Sequence, residues 1–305
     1  MSRREKNARY TTKHLLNKGS YVPSEVKECS DILYRNFSRQ IGLLLESKRP
    51  RTQHTFRGRL DTRRAYRTPF TDIVFKQSLA NPSSDTTIVM LIDGSGSMTC
   101  SIELFGKHMT RLDGCNAVCS AFSRAVNDVL GNKLKVEVMV KSSPDIISDG
   151  MGCKDGAFVS LTRVFTNTSQ QKQDPKDLLK VKAYSPVEVE GEDWGSTTAE
   201  FSVMPALVEW MKKNVQTKNI VVFNLTDGEA YATLGQSGFT FRNYENKQMR
   251  IKYMRGLPNL TLLIGRELKR ETAEEVYGQN IVKADGDEFV NKMFQILLKE
   301  VGATL

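Results

Sequence analysis

The chain has 305 residues, of which 39% are hydrophobic and 26% are charged. This composition is typical of a folded soluble protein with enough chain to bury a core, and no apolar run approaches the roughly 20 residues of a membrane span. The first residues are basic and no apolar stretch follows them, so we expect no secretory signal and a cytoplasmic protein. The five cysteines are scattered without a CxxC pair, which favours reduced thiols.

Positive charge is concentrated in the N-terminal quarter of the chain. Residues 1–80 contain 18 Lys and Arg against 7 Asp and Glu, a net charge of +11, whereas the remaining residues carry 26 against 28, a net charge of −2. The densest part is an arginine-rich run over residues 48–67, which also contains Phe56 and Tyr66. Such a run can bind an acidic protein surface, bind nucleic acid through phosphate contacts and base stacking, or form a solvated arm that covers apolar surface. The sequence leaves these three interpretations open.

The first predicted element is an amphipathic helix over residues 24–48, whose apolar residues recur at helical spacing and can share one face. The arginine-rich run follows it, and Pro and Ser punctuate the chain at residues 81–84 before the next apolar segment. We therefore expect residues 1–84 to form a basic, partly helical N-terminal extension. Residues 85–305 are expected to form one domain.

Strands and helices alternate through the rest of the chain. The predicted strands are Thr87–Ile92, Leu134–Val140, Ala157–Phe165, Asn219–Thr226, Leu260–Ile264 and Ile281–Val282. The predicted helices are Gly114–Leu130, Ala199–Lys213, Asn243–Met254, Arg270–Tyr277 and a last one from about Asp287 to Val301. Several of the strands are short runs of apolar residues, as expected for strands that are buried on both faces. The alternation predicts an α/β fold with a doubly wound, mostly parallel sheet, in which ligands bind at the carboxyl ends of the strands.

The first of these strands ends in a cluster of small oxygen-bearing residues. Asp93, Ser95 and Ser97 are spaced two residues apart in a loop, so their side chains can converge on one point, and Gly94 and Gly96 permit the tight backbone path that this requires. Oxygen ligands without a thiol or imidazole indicate a hard cation, Mg²⁺ first and Mn²⁺ or Ca²⁺ next. The alternative is a capped turn before a helix, with no metal.

Two further loops can contribute oxygen atoms to the same edge of the sheet. Asp227 follows a buried strand and precedes Gly228, the same strand-to-loop position that Asp93 has. Thr197 follows a Gly-Ser pair at a predicted helix start and can supply a hydroxyl directly or through water, with Thr198 as the alternative.

Together, Asp93, Ser95, Ser97, Thr197 and Asp227 resemble the metal-ion-dependent adhesion site (MIDAS) of von Willebrand factor A (VWA) domains. The resemblance implies a VWA or Rossmann-like fold with a divalent cation held by these five residues. It also implies that the cation keeps an open position, which attracts a carboxylate from a partner.

The chain is further similar to the VWA-bearing CobT subunit of the cobaltochelatase of cobalamin biosynthesis. The residues that carry this similarity lie outside the metal loops, and they are Gly58-x-Leu60-Asp61, Arg64, Arg67, Arg242-Asn243-Tyr244 and Leu262-Leu263-Ile264-Gly265. The resemblance implies an adaptor for a ring-forming AAA+ ATPase of the CobS or MoxR type, acting in metal insertion or in remodelling. In that role the metal site docks an acidic residue of the ATPase or of a client.

Catalysis by this chain alone is not expected. The sequence has no GxxxxGK[ST] phosphate loop, so ATP hydrolysis would belong to the partner, and no histidine can be nominated as a base for Ser95 or Ser97. We therefore expect a non-catalytic, magnesium-dependent VWA adaptor. The rival hypothesis is a VWA protein that binds nucleic acid through the arginine-rich run.

Overall fold

The computed structural model contains a central seven-stranded sheet with helices on both faces. It describes residues 9–11, 17–18, 21–47, 52–55, 59–60, 75–78, 86–131, 134–142, 158–168, 173–182, 201–217, 219–228, 232–234, 239–241, 243–255, 259–264, 270–278, 281–284 and 286–304.

The helices are α1 Ser24–Ser47, α2 Arg111–Val129, α3 Met204–Asn214, α4 Asn243–Tyr253, α5 Arg270–Tyr277 and α6 Gly286–Thr304. The strands are β1 Arg9–Thr11, β2 Asn17–Lys18, β3 Thr52–Thr55, β4 Arg59–Leu60, β5 Phe75–Ser78, β6 Thr86–Asp93, β7 Ser101–Leu104, β8 Lys107–Thr110, β9 Lys135–Ser142, β10 Phe158–Thr166, β11 Val181–Lys182, β12 Asn219–Thr226, β13 Ala232–Leu234, β14 Phe239–Phe241, β15 Asn259–Ile264 and β16 Ile281–Ala284.

The strands of the central sheet lie in the order β1-β10-β9-β6-β12-β15-β16. Strands β9, β6, β12, β15 and β16 are parallel to their neighbours in this series. The chain first winds outward from β6 to β9 and β10 and then crosses back to β12, so the strand order reverses between β6 and β12. A reversal of this kind opens a crevice at the carboxyl ends of the two central strands. The prediction of a doubly wound, mostly parallel α/β sheet is therefore confirmed.

The central strand β6 is buried along its whole length because helices cover both of its faces. Ile88, Met90 and Ile92 point into a core that also contains the inner faces of α1, α2 and α6. Val89 and Leu91 point into a second core with α3, α4 and α5. The side-chain alternation of a strand thus divides one continuous apolar run between two cores. A strand end buried in this way holds its terminal residue, Asp93, in a defined place.

Helix α1 packs into the first core although it lies in the segment that was predicted to be an extension. Phe37 of α1 is fully buried and meets Phe122 of α2 edge to face, with ring centroids 5.4 Å apart. On the rim of this contact the Arg124 guanidinium bonds to Asp31 at 2.6 Å and lies over the Tyr34 ring at 4.1 Å. The amphipathic helix is confirmed, whereas the domain boundary at residue 84 stays a prediction.

Two features differ from the predicted pattern. Strand β10 runs antiparallel to β9, whereas the sheet was predicted to be mostly parallel. A β-hairpin formed by β7 and β8 stands between the Asp93 loop and α2, where no strands were predicted. Phe105 and Gly106 form its turn with φ of 51° and 70°, and the Phe105 amide donates to the Asp287 carboxylate of α6 at 2.6 Å. The hairpin is therefore attached to the body of the fold at both ends.

The arginine-rich run is described only in part. Within it the backbone of β3 and β4 pairs with β5 in a small antiparallel sheet. The arginines of this run, which were predicted to bind a partner or to form a solvated arm, lie outside the described residues or have side chains that are not described. Among the helices of the described part of the chain, none combines the length and the apolar character of a membrane span.

Candidate metal centre

Asp93 and Asp227 lie at the carboxyl edge of two adjacent parallel strands. Asp93 is the last residue of β6, and Asp227 directly follows β12. The strands pair with Ile92 opposite Leu225, so the next register position brings Asp93 beside Thr226, the neighbour of Asp227. Both aspartates have no exposed surface. The topology thus brings two buried carboxylates to the crevice where the strand order reverses.

The Asp93 carboxylate is oriented by a hydrogen bond at each oxygen. Oδ1 accepts from the Ser95 amide at 2.9 Å, and Oδ2 accepts from the Thr226 hydroxyl at 2.7 Å. The Gly94 amide donates to the Lys141 carbonyl of β9 at 2.9 Å, which attaches the start of the loop to the neighbouring strand. Since Thr226 belongs to β12, its hydroxyl couples the Asp93 loop directly to the strand that precedes Asp227.

The two serines of the loop face each other. Ser95 Oγ and Ser97 Oγ are 3.1 Å apart, with Ser95 buried and Ser97 half-buried. Ser95 precedes the short 3-10 helix Gly96–Thr99, but its side chain accepts no hydrogen bond from that helix. The capped-turn alternative therefore does not describe this serine, whose oxygen points toward its neighbour.

Asp227 is the less satisfied of the two carboxylates. Oδ2 lies 3.3 Å from Arg111 Nη1, whereas Oδ1 is buried and accepts no hydrogen bond from the described part of the chain. The next residue, Gly228, has φ of +95°, a value that L side chains rarely adopt, and its amide donates to the Thr226 hydroxyl at 3.2 Å. The loop therefore turns sharply and leaves one carboxylate oxygen without a donor, an arrangement that is costly unless a cation or water completes it.

Arg111 is a member of this site that the sequence analysis missed. It is the first residue of α2 and is 9% exposed, and its amide donates to the Cys100 carbonyl at 2.9 Å at the base of the hairpin. The helix was predicted to begin at Gly114, so Arg111 fell in an unassigned stretch. The one available signal was a basic residue at a helix start, which the helix dipole disfavours unless an acidic group lies nearby.

A second buried cation lies on the other side of Asp93. Lys141 pairs in register with Asp93, and its side chain has no exposed surface. Lysine is rarely buried to this extent without compensating partners. Two buried carboxylates, the Arg111 guanidinium and a buried lysine of the neighbouring strand thus belong to the strand ends.

A buried cysteine lies beneath the site. Cys115 of α2 is fully buried, and burial raises the pKa of its thiol, as do the neighbouring Cys119 thiol and the negative charges of Asp93 and Asp227. Both aspartates therefore act electrostatically on the same side chain. A thiol with a raised pKa is a poor metal ligand or nucleophile at neutral pH, so Cys115 acts as a small apolar residue of the core.

The donors at this edge fit a hard divalent cation better than a soft one. They are carboxylate and hydroxyl oxygens, and the described residues include no group of three or more His, Cys, Asp and Glu side chains that could hold a metal. The unsatisfied Asp227 Oδ1 and the facing Ser95 and Ser97 hydroxyls are oxygen ligands of the kind that Mg²⁺ prefers. Thr197 and Thr198, the predicted ligands from the remaining loop, lie outside the described residues. Their assignment stays a prediction.

The comparisons with known proteins give no family assignment. No family model matches the chain, and no curated protein matches it. Among solved structures it is similar to proximal thread matrix protein 1 from the mussel byssus, in two crystal structures and in one with a zinc-occupied MIDAS motif. The identities are 13–14% and the TM-scores 0.34–0.36, over 71% of this chain and 46% of those chains. This chain thus matches less than half the length of those proteins. At such TM-scores the assignment of a doubly wound, VWA-like or Rossmann-like α/β fold rests on the strand order and on the site at its reversal.

Proposed function

We propose that this chain is a magnesium-dependent adaptor with a VWA-type metal site, and that it binds an acidic group of a protein partner. The observation that carries the proposal is the buried Asp227 Oδ1, which accepts no hydrogen bond from the described residues and lies at the same sheet edge as the Ser95 and Ser97 hydroxyls. An uncompensated buried carboxylate oxygen is costly, and a cation is the ligand that removes the cost.

In this proposal the cation is held by Asp93, Ser95, Ser97 and Asp227, with Thr197 as the contribution of the remaining loop. The all-oxygen donor set favours Mg²⁺, with Mn²⁺ and Ca²⁺ as the other candidates. When bound, the cation would supply an open coordination position for a carboxylate of the partner. The protein itself orients Asp93 through Ser95 and Thr226, and it excludes water by burying both aspartates.

The proposed partner is a AAA+ ATPase of the CobS or MoxR type. Support for this class comes from the sequence similarity to the CobT subunit in the segments flanking the metal loops, and from the absence of a phosphate loop in this chain. The metal site of the adaptor would bind an acidic residue of the ATPase or of its client. The ATPase would supply the energy for metal insertion or remodelling. The chain itself is proposed to be non-catalytic.

The first experiment measures metal and partner binding on the same sample. The wild type, Asp93→Asn and the surface control Asp177→Asn, which changes an exposed residue paired with Lys180, are titrated with Mg²⁺ and Mn²⁺ by calorimetry. We expect the wild type and the control to bind one ion and Asp93→Asn to bind none, because the amide keeps the shape of the side chain but removes its charge and one of its two acceptor oxygens. Equal binding by all three proteins would refute the metal site.

The same proteins are then used to retain a CobS-type ATPase on a column, with and without EDTA. Retention that requires the metal and Asp93 supports the adaptor, and retention that ignores both contradicts it.

The second candidate function is nucleic-acid binding through residues 48–67. The observation that favours it is the net charge of +11 in residues 1–80, with aromatic residues among the arginines. This function predicts binding to single-stranded RNA or DNA that weakens steeply with salt, needs no ATPase and persists in Asp93→Asn. Absence of such binding at low salt would exclude it.

A further inference from the structure

One carboxylate of the candidate metal centre already has a cationic partner within the protein. The Arg111 guanidinium is 3.3 Å from Asp227 Oδ2, with side-chain exposures of 10% and 0%. On strand β9, Lys141 is fully buried and pairs in register with Asp93. The site therefore differs from one in which both carboxylates lack a cationic partner.

Arg111 and a divalent ion would share the same carboxylate. The guanidinium approaches Oδ2 of Asp227, while Oδ1 accepts no hydrogen bond from the described residues. A cation at Oδ1 would lie close to a like charge in a region with little water, where repulsion between charges is weakly screened. Arg111 is also held in place. Its amide donates to the Cys100 carbonyl, and it is the first residue of helix α2, which is buried against the sheet.

We propose that Arg111 is the resident counter-ion of Asp227: it keeps the site assembled when no metal is bound, and it opposes the binding of a divalent cation. This inference rests on the proposed function, since it concerns the same metal site. Arg111 is a positioning residue in this scheme and is not itself a metal ligand.

The balance also determines which partner the site selects. A divalent cation added to the carboxylates of Asp93 and Asp227 and the Arg111 guanidinium leaves an excess of one positive charge. A carboxylate from a partner reduces that excess, so the metal and the acidic group should bind more tightly together than separately, by equal factors in both orders. The site is thus suited to a strongly acidic peptide, and it should bind metal weakly in the absence of such a peptide.

The test compares Arg111→Met with Arg111→Lys, and uses Arg124→Met as the matched control. Methionine keeps an apolar stem without the charge, and lysine keeps a charge at the same position. Arg124 is on the same helix and also forms an ion pair, with Asp31, but it lies at the α1 contact. Mn²⁺ affinity is measured from the loss of the free-ion EPR signal, and Tm is measured in EDTA and in saturating Mn²⁺.

We expect Arg111→Met to bind Mn²⁺ at least tenfold more tightly than the wild type, to have a lower Tm in EDTA and to show a larger increase in Tm with Mn²⁺. Arg111→Lys should restore most of the wild-type behaviour, and Arg124→Met should lower Tm equally in both conditions with an unchanged affinity. A merely structural role of Arg111 would not tighten metal binding.

The outcomes separate this inference from the proposed function. If the wild type binds Mn²⁺ and folded Arg111→Met binds it no more tightly, the counter-ion role is wrong and the metal site stands. If only Arg111→Met binds Mn²⁺, the counter-ion role is supported and the wild-type metal function fails. If neither protein binds the ion, both are wrong.

Discussion

The Thr226 hydroxyl connects the two halves of the site, and its removal should destabilise the protein measurably. It donates to Asp93 Oδ2 at 2.7 Å and accepts from the Gly228 amide at 3.2 Å, and both Thr226 and Asp93 have no exposed surface. Thr226→Val replaces the hydroxyl by a methyl group of similar size, so little cavity forms and the change isolates the hydrogen bonds. A hydrogen bond to a charged group contributes about 1.5–3 kcal/mol, and the Gly228 amide loses an acceptor as well.

We therefore expect Thr226→Val to lower the free energy of unfolding by about 2–4 kcal/mol, at the upper end of single hydrogen-bond effects. The assay is urea denaturation in EDTA, with the slope compared to confirm that only the midpoint changes. The matched control is Thr87→Val near the start of the neighbouring strand β6, where the Thr87 and Thr217 hydroxyls pair at 2.7 Å and neither is charged. That change should cost about 0.5–1.5 kcal/mol.

Thr226→Val should also weaken Mg²⁺ binding, because Asp93 loses the donor that orients it, whereas Thr87→Val should leave the affinity unchanged. If Thr226→Val is no less stable than Thr87→Val, the hydroxyl does not couple the strand ends in the way inferred here. A stability loss without any change in metal affinity would mean that the orientation of Asp93 is set by its other contacts.

Three further changes test other parts of the structure. Phe37→Ala removes a fully buried ring that packs on Phe122 and should cost about 3–5 kcal/mol in denaturant unfolding, whereas an effect below about 1 kcal/mol would mean that α1 is not part of the core. Burial raises the pKa of the Glu137 carboxyl in the folded protein. The protonated carboxyl therefore stabilises the fold fully below the pKa of the unfolded chain, and this stabilisation is lost as the pH rises through the folded pKa. Relative to the wild type, Glu137→Gln should thus become more stable as the pH rises from 4.5 toward neutrality. A pH-independent difference in urea midpoints would contradict that reasoning. Gly278→Ala should lower Tm and cost about 1–3 kcal/mol of the free energy of unfolding. The reason is that Gly278 has φ of +82° and an added Cβ would lie 2.7 Å from the Arg250 guanidinium. An unchanged Tm would show that the turn relaxes without strain.

The sequence was informative about the sheet because buried parallel strands leave a local signature. The continuous apolar runs that end in Asp93 and precede Asp227 predicted two strands covered on both faces, and β6 and β12 are buried in that way. Once these were strands of one doubly wound sheet, topology alone required their carboxyl ends to lie at one edge. The positions of both aspartates therefore followed from the order of elements.

The same reasoning missed features that local pattern does not encode. The hairpin of β7 and β8 has one buried and one exposed face, but its strands are too short for the alternation to stand out. Strand β10 carries no local mark of its direction, and only its pairing with β9 in the structure shows that it is antiparallel. The helical face of α1 was evident, whereas its partner was not, because periodicity identifies an apolar face without identifying what covers it.

What the sequence by itself determined is the class of fold, the place of Asp93 and Asp227 at strand ends, and the all-oxygen character of the site. What only the tertiary structure decided is the electrostatic setting of that site. Arg111 and Asp227 are 116 residues apart, and their contact depends on how α2 packs against β6 and β12. Such a pairing arises from the close packing of distant segments, which brings a cation and a carboxylate out of water together. No residue spacing along the chain predicts the pairing of Arg111 with Asp227.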